Sequence, residues 1–94
     1  MDEHQRIARA DRAKALLADE LFNEARQHIE AQLWAKFQEI SPDDTAALQH
    51  IKAMQYFHGK YLQFFTAAVQ DGKIASLEVE RKKKTLREKV FGSR

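Results

Sequence analysis

Ninety-four residues suffice for one small domain. Hydrophobic residues make up 44% and charged residues 32%, a globular balance, and with only three Gly and one Pro the composition is that of a helix former. The absence of cysteine excludes disulfides and thiol nucleophiles, the polar start Met1-Asp2-Glu3-His4-Gln5-Arg6 lacks the apolar core of a signal peptide, and no stretch nears the ~20 apolar residues of a membrane span.

The expectation is therefore a soluble, cytoplasmic protein with no membrane partner. β-Branched residues are few and no run alternates apolar with polar, so a sheet is not expected. The formal net charge of +2 is unevenly spread. Residues 1–77 hold nine Lys/Arg and eleven Asp/Glu, which is −2; residues 78–94 hold seven Lys/Arg and three Glu, which is +4. The chain reads as a domain over 1–77 followed by a basic C-terminal helix or tail over 78–94.

The first segment runs from about residue 2 to Ile40 without Gly or Pro. Ile7, Ala10 and Ala13 give a thin stripe. From Leu17 it thickens through Leu21, Phe22, Ala25, Ile29, Leu33, Trp34, Phe37 and Ile40, in steps that keep to one helical face. The thin start allows a break or frayed turn near Asp11 or Asp19. It leaves the first fifteen residues to be ordered by a partner or a neighbouring subunit.

Ser41-Pro42-Asp43-Asp44 reads as a helix start: Ser at N-cap, Pro at N1 and two Asp in the first turn. A connection this short makes the two helices antiparallel neighbours. The second helix, about 42–70, carries Ala47, Ile51, Met54, His58, Tyr61, Phe65 and Ala68 at heptad spacing. Leu48, Phe57, Leu62, Phe64 and Val69 widen the apolar arc beyond what one partner helix covers. Gly59 inside this helix reads as close packing against a bulky ring such as Trp34, with a hinge or partner contact as the alternative.

Asp71-Gly72-Lys73 reads as a C-cap with Gly72 in the left-handed conformation. A third helix follows over about 74–90, thinly apolar and carrying Arg81-Lys82-Lys83-Lys84, and the chain closes in a loose end at Phe91-Gly92-Ser93-Arg94. The fold class expected is all-α. An antiparallel hairpin of helices 2–40 and 42–70 precedes a basic helix at 74–90, assembled into an oligomeric helical bundle.

Chemistry is sparse. Ser41 serves as a cap, Ser76 and Ser93 have no evident base, and the isolated Gly residues make no phosphate loop. His4, His28, His50 and His58 with Glu24 do not form the three- or four-ligand spacing of a zinc site. No catalytic residue, metal or cofactor is expected, and the chain is read as no enzyme. His58, at a heptad core position, reads as a histidine at an oligomer seam, where it makes association pH-sensitive. The contact residues expected are Trp34, Phe57, His58, Tyr61, Phe64 and Phe65. Arg81, Lys82, Lys83, Lys84 and Arg87 read as a solvated face, a phosphate-backbone contact or a dock for an acidic surface.

Ala13-Lys14-Ala15-Leu16-Leu17, Leu21-Phe22-Asn23-Glu24-Ala25, Trp34, Asp43-Asp44-Thr45 and Asp71-Gly72-Lys73-Ile74-Ala75 follow one another in an order that resembles small helical proteins of tailed bacteriophages, encoded among virion-assembly genes. Glu80–Lys89 is similar to the basic C-terminal segments of helical phage scaffolding proteins. The resemblance implies a head, scaffold or packaging accessory, located in the host cytoplasm or the virion, and transfers no catalytic residue. The leading expectation is a homo-oligomeric helical assembly protein whose other partner is a phage structural protein. A nucleic-acid-binding packaging or regulatory accessory is second. A phage inhibitor docking its aromatic face on a host protein is third.

Overall fold

The computed structural model describes residues 1–91, and the fold is all-α: α1 (Glu3–Ala18), α2 (Glu20–Glu39) and α3 (Thr45–Phe91), with no strand among the described residues. Of the loose end expected at 91–94, Phe91 instead closes α3, and residues 92–94 lie outside the described ones.

The helices start where side chains satisfy backbone donors, and this sets two boundaries, at Asp19 and Asp44. α1 opens on a reciprocal cap. The Gln5 N–H donates to Asp2 Oδ1 at 2.8 Å and the Asp2 N–H to Gln5 Oε1 at 2.9 Å. The helix expected over 2–40 breaks at Asp19, one of the two places where its thin apolar stripe allowed a break, and not at Asp11. The Asp19 backbone is extended (φ −69°, ψ 129°) and its carboxylate accepts the Phe22 N–H at 2.8 Å. Asn23 Nδ2 donates back to the Leu17 and Asp19 carbonyls, closing the end of α1. A short acidic side chain that offers the backbone another partner is why the break falls here.

Ser41 is not the cap of α3. Residues 41–44 form a turn closed by the Asp44 N–H on the Ser41 carbonyl at 3.0 Å, with Pro42 at the favoured second position. Asp44 accepts the Ala47 N–H at 3.1 Å, so helix begins at Thr45. Gly72 does not end a helix either. No glycine among the described residues has positive φ, and α3 runs unbroken through Asp71-Gly72 for 47 residues. The separate helix expected at 74–90 is the second half of α3, and the expected boundary at 77/78 falls inside it.

Packing divides the chain into two units: Met1–Ala15 with α3 from Phe65 onward, and Leu16–Phe64. In the first, α1 runs antiparallel to α3, as the order of contacts requires. Glu3 pairs with Lys82, Arg6 with Glu78 at 3.0 Å and Asp71 at 2.8 Å, and Ala10 meets Gly72. Ala10, Ala13, Ala68 and Ala75 are buried, so the start of the chain, expected to need a partner for order, is ordered by α3 instead. Small residues let the two backbones approach closely, and ion pairs border that contact.

In the second unit α2 packs antiparallel on the first half of α3. Leu33 and Ile51 are buried, and full burial of such a side chain contributes about 1.5–3 kcal/mol. Beside them His58 Nε2 lies 3.4 Å from Glu30 Oε1. The face of α3 turned to α2 runs through Ile51, Gln55, His58 and Leu62, all buried or half-buried. Met54 and Tyr61, assigned to that seam from heptad spacing, are exposed on the adjacent face. Gly59 has no atom within 4 Å of where a Cβ would sit, so it does not pack against Trp34.

Candidate protein interaction surface

The unit Leu16–Phe64 buries two large aliphatic side chains and leaves many more in solvent. On α3 the exposed set is ordered. Met54, Phe57, Tyr61 and Phe64 follow at steps of three, four and three, which places them on one side of a rigid helix. Phe57 is 68% exposed, and Tyr61 and Phe64 are each 59% exposed. A groove of about 350 Å³ between the helices is lined by Ile29 and Leu33 of α2 and by Ile51 and Met54 of α3, so Ile29 and Met54 share one flank of the helix pair.

Around this stripe the aromatic groups are held by one another. Tyr56 and Phe57 meet edge to face at 5.6 Å, and Lys60 Nζ lies 5.4 Å from the Tyr56 ring centre. On α2, Trp34 stacks on Phe37 at 5.7 Å with an interplanar angle of 21°. Such contacts limit rotamer freedom before a partner arrives, which lowers the ordering cost of binding.

Of the six contact residues expected from sequence, Trp34, Phe57, Tyr61 and Phe64 are exposed in this unit. His58 is half-buried and faces Glu30. Phe65 is half-buried and belongs to the other unit. Sequence reasoning did not single out Leu21, Ile29 and Met54 as exposed contact residues. The signal for the first two was available: Leu21, Ala25 and Ile29 recur every fourth residue, beside rather than along the strip that reaches α3.

Arg81, Lys82, Lys83, Lys84 and Arg87 are exposed along α3. Lys82 contacts Glu3, which raises its pKa through a hydrogen bond, and Lys83 lies 3.9 Å from Glu80. A second groove, of about 390 Å³, runs between α1 and α3 past Ile7, Ala10, Gly72 and Leu77, in the unit that holds this basic run. Among the described residues no three His, Asp or Glu side chains are grouped to hold a metal ion, and no helix is long and apolar enough to cross a membrane. No protein-family model, curated protein or solved structure matches the chain.

Proposed function

We propose that the chain is a non-enzymatic helical assembly protein that associates with a second copy of itself through the flank formed by Met54, Phe57, Tyr61 and Phe64. The observation that carries this is the ordered, exposed aromatic stripe on α3, set on the same flank as Ile29. Aromatic and Met side chains clustered on a rigid element are the composition of interface cores. Two buried aliphatic side chains are a thin core for the unit, and burying the flank adds apolar area that the hairpin alone does not cover. A head, scaffold or packaging complex of a tailed phage is the setting in keeping with the residue pattern. Sedimentation equilibrium at micromolar concentrations tests the reading. A mass above that of one chain, lost in the Phe57→Glu/Phe64→Glu variant, is expected; a single-chain mass throughout removes it.

A second reading is favoured by the run of exposed cations on one continuous helix. Arg81, Lys84 and Arg87 meet the requirement for non-specific contact with phosphate backbones. It predicts duplex DNA binding that weakens steeply with salt and disappears on charge reversal of Arg81–Lys84. No binding at low salt rejects it.

A further inference from the structure

Two stripes run along α3 within Leu16–Phe64. Ile51, Gln55, His58 and Leu62 face α2; Met54, Phe57, Tyr61 and Phe64 are exposed. At the helical repeat of ~100° per residue, their mean directions differ by roughly 110°. α2 repeats the arrangement. Arg26, Glu30 and Leu33 are buried or half-buried towards α3, whereas Leu21, Ala25 and Ile29 form an exposed strip, again roughly 110° around the helix axis. Since Ile29 and Met54 line one groove, both exposed strips lie on the same side of the pair. A helix in a four-helix bundle meets two neighbours on adjacent faces, and both helices of this unit present a second face at the angle such a bundle requires.

Charge selects how two copies meet. Thr45–Phe64 holds Lys52 and Lys60 and no Asp or Glu; α2 holds Glu20, Glu24, Glu30 and Glu39 against Arg26 and Lys36. Lys60 immediately precedes Tyr61 at the border of the α3 strip. Glu24 immediately precedes Ala25 at the same border of the α2 strip, and both are exposed. A two-fold axis laying α3 on α3 would oppose basic borders without a carboxylate. One laying α3 on α2 sets aromatic side chains on Leu21 and Ile29 and brings Lys60 to Glu24.

We infer that the chain forms a two-fold dimer, a four-helix bundle in which the Met54–Phe64 strip packs on the Leu21–Ile29 strip of a second copy, with Lys60 of each facing Glu24 of the other. This rests on the self-association proposed above. Sedimentation equilibrium at low ionic strength, with helicity checked by circular dichroism, compares wild type, Lys60→Glu, Glu24→Lys, the double variant and an equimolar mixture of the two single variants. Each single change weakens dimerisation about tenfold, because the two-fold axis presents every change twice. The double variant and the mixture both restore opposite charges at both contacts and return to within about threefold of wild type. Restoration in both supports the arrangement. Single variants that dimerise like wild type, or charge reversal without restoration, overturn the arrangement and leave self-association standing. A wild type that stays a single chain overturns both.

Discussion

Ala10 of α1 lies so close to Gly72 of α3 that a Cβ built on the glycine would stand 2.1 Å from the Ala10 Cβ. No flexible side-chain end is there to move aside, since the neighbour is a methyl group on a helix backbone. Gly72→Ala therefore sets two effects against each other. Alanine gains about 1 kcal/mol of helix propensity over glycine, and overpacking a closed contact costs about 1–3 kcal/mol. At 2.1 Å the clash wins, and urea denaturation is expected to show net destabilisation.

Gly59→Ala is the control with the opposite sign. Open space surrounds the position and the backbone is helical, so the propensity gain of up to about 1 kcal/mol is realised without a clash. A stabilised Gly59→Ala beside a destabilised Gly72→Ala, measured under identical conditions, is the expected result; equal signs would contradict the packing described for both.

How much of this was legible in the sequence follows from where the signals are local. The all-α class and the antiparallel pairing come from spacing and from a single short connection, both visible in the residue order. Gly72 was misread because an isolated glycine after an aspartate carries the same letters whether it ends a helix or admits a neighbouring one. The deciding fact is Ala10, sixty-two positions away. Asp71 was likewise counted with the cap, whereas its partner is Arg6. The exposed flank was legible as surplus apolar arc, but heptad counting placed Met54 and Tyr61 in the seam with α2. A repeat of three and four fits two adjacent strips of one helix, and only the position of α2 tells them apart.

The pairing of Arg6 with Asp71 makes the α1 contact acid-sensitive. Arg6 Nε donates to both Asp71 oxygens and Nη2 to Oδ1, while Nη1 donates to Glu78. These hydrogen bonds hold the Asp71 carboxyl below its ordinary range. A carboxylate with a depressed folded-state pKa contributes stability that is present above its unfolded value, about 3.9, and is lost as pH falls through the lower folded value. Protection of α1 amides, relative to unstructured exchange at the same pH, is thus expected to fall below about pH 4, and Asp71→Asn is expected to show low protection already at neutral pH with little further loss in acid. Unchanged α1 exchange in the variant would show that Asp71 does not hold the helix.

The two candidate caps of α3 separate cleanly. Asp44 accepts the Ala47 N–H at 3.1 Å, while the Ser41 hydroxyl is 3.4 Å from the Asp43 nitrogen within the turn. Asp44→Ala is expected to cost about 1 kcal/mol, as removal of an N-cap does, and Ser41→Ala no more than about 0.5 kcal/mol. Thermal denaturation of both variants checks this, and the reverse order would return the helix start to Ser41.

The self-association proposed through the α3 flank would couple stability to concentration. A partner that binds only the folded chain adds about 2.7 kcal/mol when present at a hundred times its Kd, so the wild-type Tm is expected to climb with protein concentration. Phe57→Glu removes an exposed ring and substitutes another good helix former, so the single chain should change by no more than about 0.5 kcal/mol. In an interface the same change buries a charge among Tyr61, Phe64 and Met54, and the concentration dependence should vanish. The two effects are separable in one series of scans. At the lowest concentration the variant and wild type should melt together, and they should diverge as concentration rises. Curves that stay parallel would mean that Phe57 faces solvent in the functional state and that association, if present, uses another surface.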